Sequence, residues 1–157
     1  MEYVLLVVGK TDDSQLALLM DRYRQRLQHY GRFSIDIIPG LKNRKNLRED
    51  LQKNEEGQRI LKIIKSHDYV VLLDEKGKQY DSLGFADWVE KKQHIGIKRC
   101  VFIVGGPYGF SEEIYQRAQE KIALSKMTFS HQMVRLFFVE QLYRANTIIH
   151  NEPYHHQ

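Results

Sequence analysis

LSKMTFSHQMVRLFFVEQLYRANTIIHNEPY, residues 124–154, carries the pattern from which the rest of the chain is read. On a helical wheel Val134, Phe137, Phe138, Val139, Leu142, Ile148 and Ile149 surround the axis instead of sharing one stripe. A helix that is apolar on every side is covered on every side. One chain of this size rarely encloses a helix alone, so the expectation is a homodimer in which a second copy covers part of that surface. Arg135, Glu140 and Arg144 interrupt it, and Glu140 precedes Arg144 by four residues, in the order that favours an ion pair. Buried charge calls for such pairing. Two readings fit: a structural ion pair at an interface, or a polar site built where two subunits meet.

Working outward from this helix, strand and helix patterns alternate. Tyr3 to Gly9 is a continuous aliphatic run of the kind covered on both faces of a sheet. Thr11 to Ser14 supply capping residues for a helix with Leu16, Leu19, Tyr23 and Leu27 at helical spacing, which Gly31 stops. Phe33 to Ile38 reads as a second strand closed by Pro39 and Gly40, and a helix with Ile60, Leu61 and Ile64 as its apolar stripe follows. Tyr69 to Leu73 reads as a third strand ending in the turn sequence Asp74-Glu75-Lys76-Gly77, and Ser82 to His94 as an amphipathic helix ended by Gly96. Cys100 to Val104 is a fourth strand leading into GGPYG, Ser111 to Glu113 open another helix, and Ile122 to Leu124 is short and strand-like. Helices of crossover length between strands imply an α/β fold: a parallel sheet flanked by helices, as a single domain over residues 1–157.

Composition narrows the function classes. Hydrophobic residues at 42% and charged residues at 28% allow a folded core and argue against disorder. The apolar run at Tyr3–Val8 is strand length, and Glu2 stands where a signal peptide would carry positive charge, so no membrane segment and a cytoplasmic location are expected. A lone Cys100 in a strand-like run reads as a core residue. The net charge of +4 permits a polyanionic partner such as RNA. Lys42, Arg44, Lys45 and Arg48 form a basic loop that suits a phosphate backbone or, as favoured here, a solvated surface.

In open α/β sheets ligands gather beyond the carboxyl ends of the strands. Three such ends have suggestive sequences: Leu73–Gly77, Gly105–Gly109 and Leu124–Phe129. Glycines allow close approach to the backbone, whose N–H and C=O groups can read a planar heterocycle. The GGPYG stretch fits a tight turn equally well, and it matches neither a dinucleotide fingerprint nor a P-loop. His150, His155 and His156 have no carboxylate or thiol at ligand spacing, so no metal is expected. Ser130 beside His131 lacks a nucleophile elbow and reads as the cap of the long helix.

IVGGPYGF, ALSKMTFSHQMVRLFFVEQLYRA and the closing PYHH, with VVGK near the start and EGQRIL in the middle, closely resemble the SPOUT-class ribosomal RNA large subunit methyltransferase H family over the full length. The resemblance implies a C-terminal trefoil knot, a homodimer, and S-adenosylmethionine-dependent methylation of N3 of a pseudouridine in large-subunit ribosomal RNA, on the assembled ribosome. It also implies cofactor contacts at Leu73, Gly105 and the run Leu124, Ser125, Lys126, Met127, Thr128, Phe129. Ser130 stands where relatives often have proline, and both residues suit a helix start. His155, with Tyr154 beside it, is the candidate for contacting the base, and Arg144 for phosphate or anion recognition, each from either subunit. A disordered tail and the Glu140 ion pair are the plainer readings for His155 and Arg144. His131, in the first turn, is read as structural, because the helix dipole there disfavours a charged imidazole.

Overall fold

The protein was analysed as a computed structural model, which describes residues 1–42 and 44–156, the Arg44 side chain excepted. Its strands are β1 (Glu2–Val8), β2 (Phe33–Ile38), β3 (Tyr69–Gln79), β4 (Arg99–Val104) and β5 (Glu120–Ala123). Its helices are α1 (Ser14–Leu27), α2 (Glu49–Ile63), α3 (Ser82–His94), α4 (Glu112–Arg117) and α5 (Met133–Ile149). The strands form one parallel sheet in the order β2-β1-β4-β3-β5.

The alternation of strand side chains divides the core. Tyr3, Leu5 and Val7 point with Cys100, Phe102 and Val71 towards α1, α3 and α5, while Val4, Leu6 and Val8 point with Val101, Ile103, Val70 and Leu72 towards α2 and α4. Helices cover both faces, which is why Tyr3–Val8 of β1, Tyr69–Leu73 of β3 and Cys100–Val104 of β4 are unbroken apolar runs. α1 and α3 connect strands that step one way along the sheet, and α2 and α4 connect those that step the other way. Each pair therefore keeps to its own face, as crossovers of one hand require.

β2 and α3 span the expected residues, and Asp13 caps α1 by accepting from Gln15 and Leu16. The expected stripe of α2 packs on the core through Ile60, Leu61 and Ile64, with Gln52, Glu56 and Gly57 buried beside it. Two expectations need correction. Leu19 does not belong to the buried stripe of α1: it is exposed, and Met20 takes its place beside Leu16 and Leu27. Asp74 to Gly77 do not turn the chain; β3 runs on to Gln79 through an irregularity between Leu73 and Lys78 in its pairing with β5. Gly77 makes this path possible, since a Cβ there would lie 2.5 Å from the Ile122 nitrogen. Of the basic loop, Lys42, Lys45 and Arg48 are solvated, and the Arg44 side chain lies outside the described residues. Cys100 is buried, and its surroundings push the thiol pKa up, so it serves as a small core side chain.

The short edge strand β5 is fastened at its amino end. The Glu120 carboxylate accepts from the Trp88 indole at 2.8 Å and from Lys92 and the Tyr69 hydroxyl. Although burial opposes ionisation, these donors hold the Glu120 carboxyl below its ordinary range; Lys92 is raised by the same partners against its own desolvation. A depressed carboxyl stabilises the fold above its unfolded pKa and loses that contribution as pH falls through the folded value. Glu120→Gln is therefore expected to cost about 1 to 2 kcal/mol at pH 7. In urea unfolding measured from pH 7 down to pH 3, the difference from the parent chain should shrink as the carboxylate protonates.

Candidate functional site

A cavity of about 550 Å³ opens at the carboxyl ends of β4 and β5, beside the irregularity in β3. That volume suits a cofactor-sized ligand. Its walls come from Leu73 to Lys76, from Val104 to Phe110, and from Leu124, Ser125, Met127 to His131 and Val134, with Tyr115 of α4 and Ile122 of β5 at the side. Of the residues expected to contact a cofactor, Leu73, Gly105, Leu124, Ser125, Met127, Thr128 and Phe129 line this cavity; Lys126 lies between them in sequence and is not part of the wall.

The glycine segment after β4 is a turn closed by the Gly109 N–H donating to the Gly106 carbonyl at 3.1 Å. Gly109 has φ +79°, a conformation that favours glycine. A Cβ on Gly106 would fall 2.5 Å from the Glu56 carboxylate, and one on Gly105 3.1 Å from the Phe110 ring. The turn is thus packed against α2 on one side and curled around Phe110 on the other, leaving bare backbone along the cavity. Opposite it, the Asp74 carboxylate is occupied: Oδ1 accepts from the Lys76 amide at 2.8 Å and Oδ2 from the Tyr115 hydroxyl. Burial, followed by that carboxylate, pushes the Tyr115 pKa up, so its O–H remains a donor.

The third wall leads into α5. Ser130, expected as the cap of the long helix, stands two residues before the N-cap position, which Gln132 occupies; it still supports the start of α5, its Oγ accepting from the Met133 amide at 3.1 Å and its carbonyl from the Val134 amide at 3.0 Å. His131, read from sequence as structural, lines the cavity. Its place directly after the SKMTF segment was the available signal. The wall is anchored by Arg135, one turn further on, which is completely buried. Its guanidinium donates to the carbonyls of Val8 at 2.8 Å, Gly9 at 3.0 Å and His131 at 3.1 Å, and to Thr11 Oγ1 at 3.2 Å. Arg135 is thus neutralised by main-chain dipoles at the end of β1, without an ion-pair contact among the described residues. Burial lowers its pKa, with the Asp12 charge opposing the shift. Gln132 adds to the seam, donating to the Lys10 carbonyl and accepting from the Asp12 amide, both at 3.1 Å.

Arg144, Tyr154 and His155 are brought together, but none of them lines the cavity of its own chain. Arg144 donates to Glu140 at 2.6 Å, which establishes the expected ion pair, and its guanidinium lies 4.7 Å from the centre of the Tyr154 ring. The Tyr154 hydroxyl donates to the same Glu140 oxygen at 2.9 Å and meets the Tyr23 hydroxyl at 3.2 Å. Burial, then these two neighbours, push the Tyr154 pKa up, so the phenol stays protonated. His155 Nδ1 lies 3.3 Å from Arg144. A guanidinium only donates, so Nδ1 accepts and the proton of the neutral ring resides on Nε2. The tail is folded back rather than free: Asn151 adopts φ +56°, the Glu152 amide donates to the Thr147 carbonyl at 2.9 Å, and Tyr30 donates to the Glu152 carboxylate. Among the described residues no group of His, Cys, Asp or Glu is arranged to hold a metal ion, and no helix is long and apolar enough to cross a membrane.

Residues 1–155 match the family model described as "Predicted SPOUT methyltransferase". The chain belongs to the SPOUT methyltransferase family. Among its relatives, proteins named ribosomal RNA large subunit methyltransferase H are similar over essentially their whole length: 58% identical in Christiangramia forsetii over 98% of both chains, 56% in Parabacteroides distasonis and 55% in Flavobacterium johnsoniae, both over 100%. A SPOUT methyltransferase needs a cavity for a methyl donor, and the strand-end cavity has the size and the bare backbone for one.

Because Arg135 joins the cavity wall to the end of β1, its loss should be felt in the whole fold. Arg135→Ala leaves several buried acceptors without donors and is expected to cost about 3 kcal/mol or more. Arg135→Lys should recover only part, since an ammonium cannot reproduce the planar array of donors. Urea midpoints of the two variants check both statements.

Proposed function

We propose that the protein is a homodimeric, cytoplasmic enzyme that transfers a methyl group from S-adenosylmethionine to N3 of a pseudouridine in large-subunit (23S) ribosomal RNA on the assembled ribosome. The observation that carries this reading is the convergence of Leu73, Gly105, Leu124, Ser125, Met127, Thr128 and Phe129, from three separate segments of the chain, on one cavity. Those residues fit the cofactor: exposed main-chain groups on the glycine turn and on the Leu124–Phe129 segment suit a planar heterocycle, while Leu73, Val104, Ile122 and Leu124 supply apolar contact. When bound there, S-adenosylmethionine supplies an electrophilic methyl on a sulfonium.

The chain's own residues would orient the acceptor and stabilise the anion left on the ring as its N3 proton passes to water. Much of the rate of such a displacement comes from alignment of the nucleophile. Arg144 is assigned to anion recognition, because its guanidinium can compensate a phosphate or the anion that develops on the pseudouridine ring. His155, with Nδ1 engaged by Arg144, offers Nε2–H as a donor to the base. Tyr154 remains a phenol and positions Arg144 through Glu140 and the ring contact. None of the three lines the cavity of its own chain, so the reading requires the tail of a second subunit to meet it. Support for such a pairing comes from an apolar stripe beside the cavity mouth: Met127 is 76% exposed, Phe137 40%, Met133 39% and Phe129 37%, with the Phe129 and Phe137 rings 5.1 Å apart. A second copy covering this stripe also accounts for the helix wheel. The trefoil-knotted path implied by the family is assigned to the C-terminal segment, which crosses the strand ends from β5 before Arg135 fastens it beside β1.

Two experiments test this. Gly105→Val places a branched side chain against Phe110 at the cavity edge, so S-adenosylmethionine binding measured by calorimetry should fall by more than tenfold and methylpseudouridine in ribosomal RNA, read by mass spectrometry, should disappear, while ribosome binding persists. Phe137→Glu puts charge into the apolar stripe and should yield a folded monomer by sedimentation, without methyl transfer.

A further inference from the structure

Arg22 and Arg26 stand one turn apart on the outward face of α1, followed by His29 a turn later, and all three are exposed. Arg24 between them is ion-paired with Asp21 at 2.6 Å, whereas neither Arg22 nor Arg26 has a carboxylate partner among the described residues. Arg26 is nevertheless held in place: its guanidinium carbon lies 5.4 Å from the Tyr23 ring centre and 5.6 Å from that of Tyr143. Tyr143 meets Tyr154 edge-on at 4.7 Å, and Arg144 lies over Tyr154 in turn. Two guanidinium groups, those of Arg26 and Arg144, therefore flank the half-buried rings of Tyr23, Tyr143 and Tyr154 along one surface from α1 across α5 to the tail. A cation in the last turn of α1 also complements the helix dipole, but that role needs neither rings nor a second arginine a turn earlier.

Guanidinium groups set beside aromatic ones match single-stranded or looped RNA, in which phosphates and unstacked bases are offered side by side. An acidic protein surface would satisfy the arginines but would leave the aromatic row unused. We propose that this face of α1, with Arg22 and Arg26 as phosphate contacts, anchors a single-stranded segment of the RNA next to the tail that meets the target base. The proposal rests on the rRNA methyltransferase reading and adds that the tail and its anchor come from the same subunit. Holding the arginine over tyrosines before RNA arrives reduces the ordering cost on binding.

The test titrates the full-length protein and the Arg22→Ala/Arg26→Ala double variant with purified bacterial ribosomes over a range of salt concentrations, with S-adenosylmethionine binding and methyl transfer measured in parallel. The double variant should bind ribosomes about tenfold more weakly. Its plot of log affinity against log salt should be shallower by about 1.4, about 0.7 for each lost phosphate contact. Cofactor affinity should not change. Arg26→Lys keeps the charge and should keep the parent salt slope while still binding more weakly, because the stacked guanidinium is gone. Parent-like affinity and slope in the double variant overturn the anchor, as does an equal loss of cofactor affinity, which would mark general damage. If the parent chain transfers no methyl group to ribosomal RNA, the functional reading fails instead, and the ribosome titration still decides the anchor.

Discussion

The Arg135 guanidinium, sealed from solvent and spread over main-chain oxygens at the end of β1, is the constraint on which the arrangement depends. A buried cation is tolerable only where acceptors surround it, and here the acceptors belong to the first strand and its exit loop while the donor belongs to the last helix. The interaction therefore joins the two ends of the chain's itinerary. It also fixes the rotation of α5, so that Phe138, Val139 and Leu142 face the sheet while Phe137 and Met133 face outward.

That junction explains where the cavity is. In many open α/β sheets the loop after the first strand is free to cradle a ligand. In this chain that place is filled by the start of α5, with Arg135 and Gln132 using the main-chain groups of residues 8 to 12. The ends of β4 and β5 and the irregular stretch of β3 are left to form a pocket, whose side is closed by His131 and by Val134 of α5. Core, ligand cavity and exposed apolar stripe are thus three faces of a single helix.

What could be read from sequence followed local punctuation. β2 ends where Pro39 and Gly40 stand, α3 ends before Gly96, and the unbroken apolar run of β1 announced a sheet covered on both faces. The three cavity walls were legible because strand ends in this architecture collect ligands, and the family resemblance singled out the same segments. Asp74 to Gly77 misled because the composition of a turn and that of an irregular, half-solvated strand are alike; the deciding fact, the passage of β5 against Gly77, is a long-range one. Arg135 was visible as a charge in an apolar helix, but its partners are carbonyl groups, which every residue possesses and no sequence pattern marks. The ordered tail was likewise hidden, since it depends on Tyr23 and Tyr30, far away along the chain.

The order of the elements along the chain has a consequence for synthesis. All five strands are made before the helix that covers the middle of one sheet face and completes the pocket wall. A nascent chain halted anywhere before Met133 presents Phe102, Phe85 and Trp88 without their cover, a sticky half-built layer. Closing this layer has to wait for Met133–Ile149 to leave the exit tunnel, so stop codons between Ala123 and Met133 should yield chains that quality-control proteases clear.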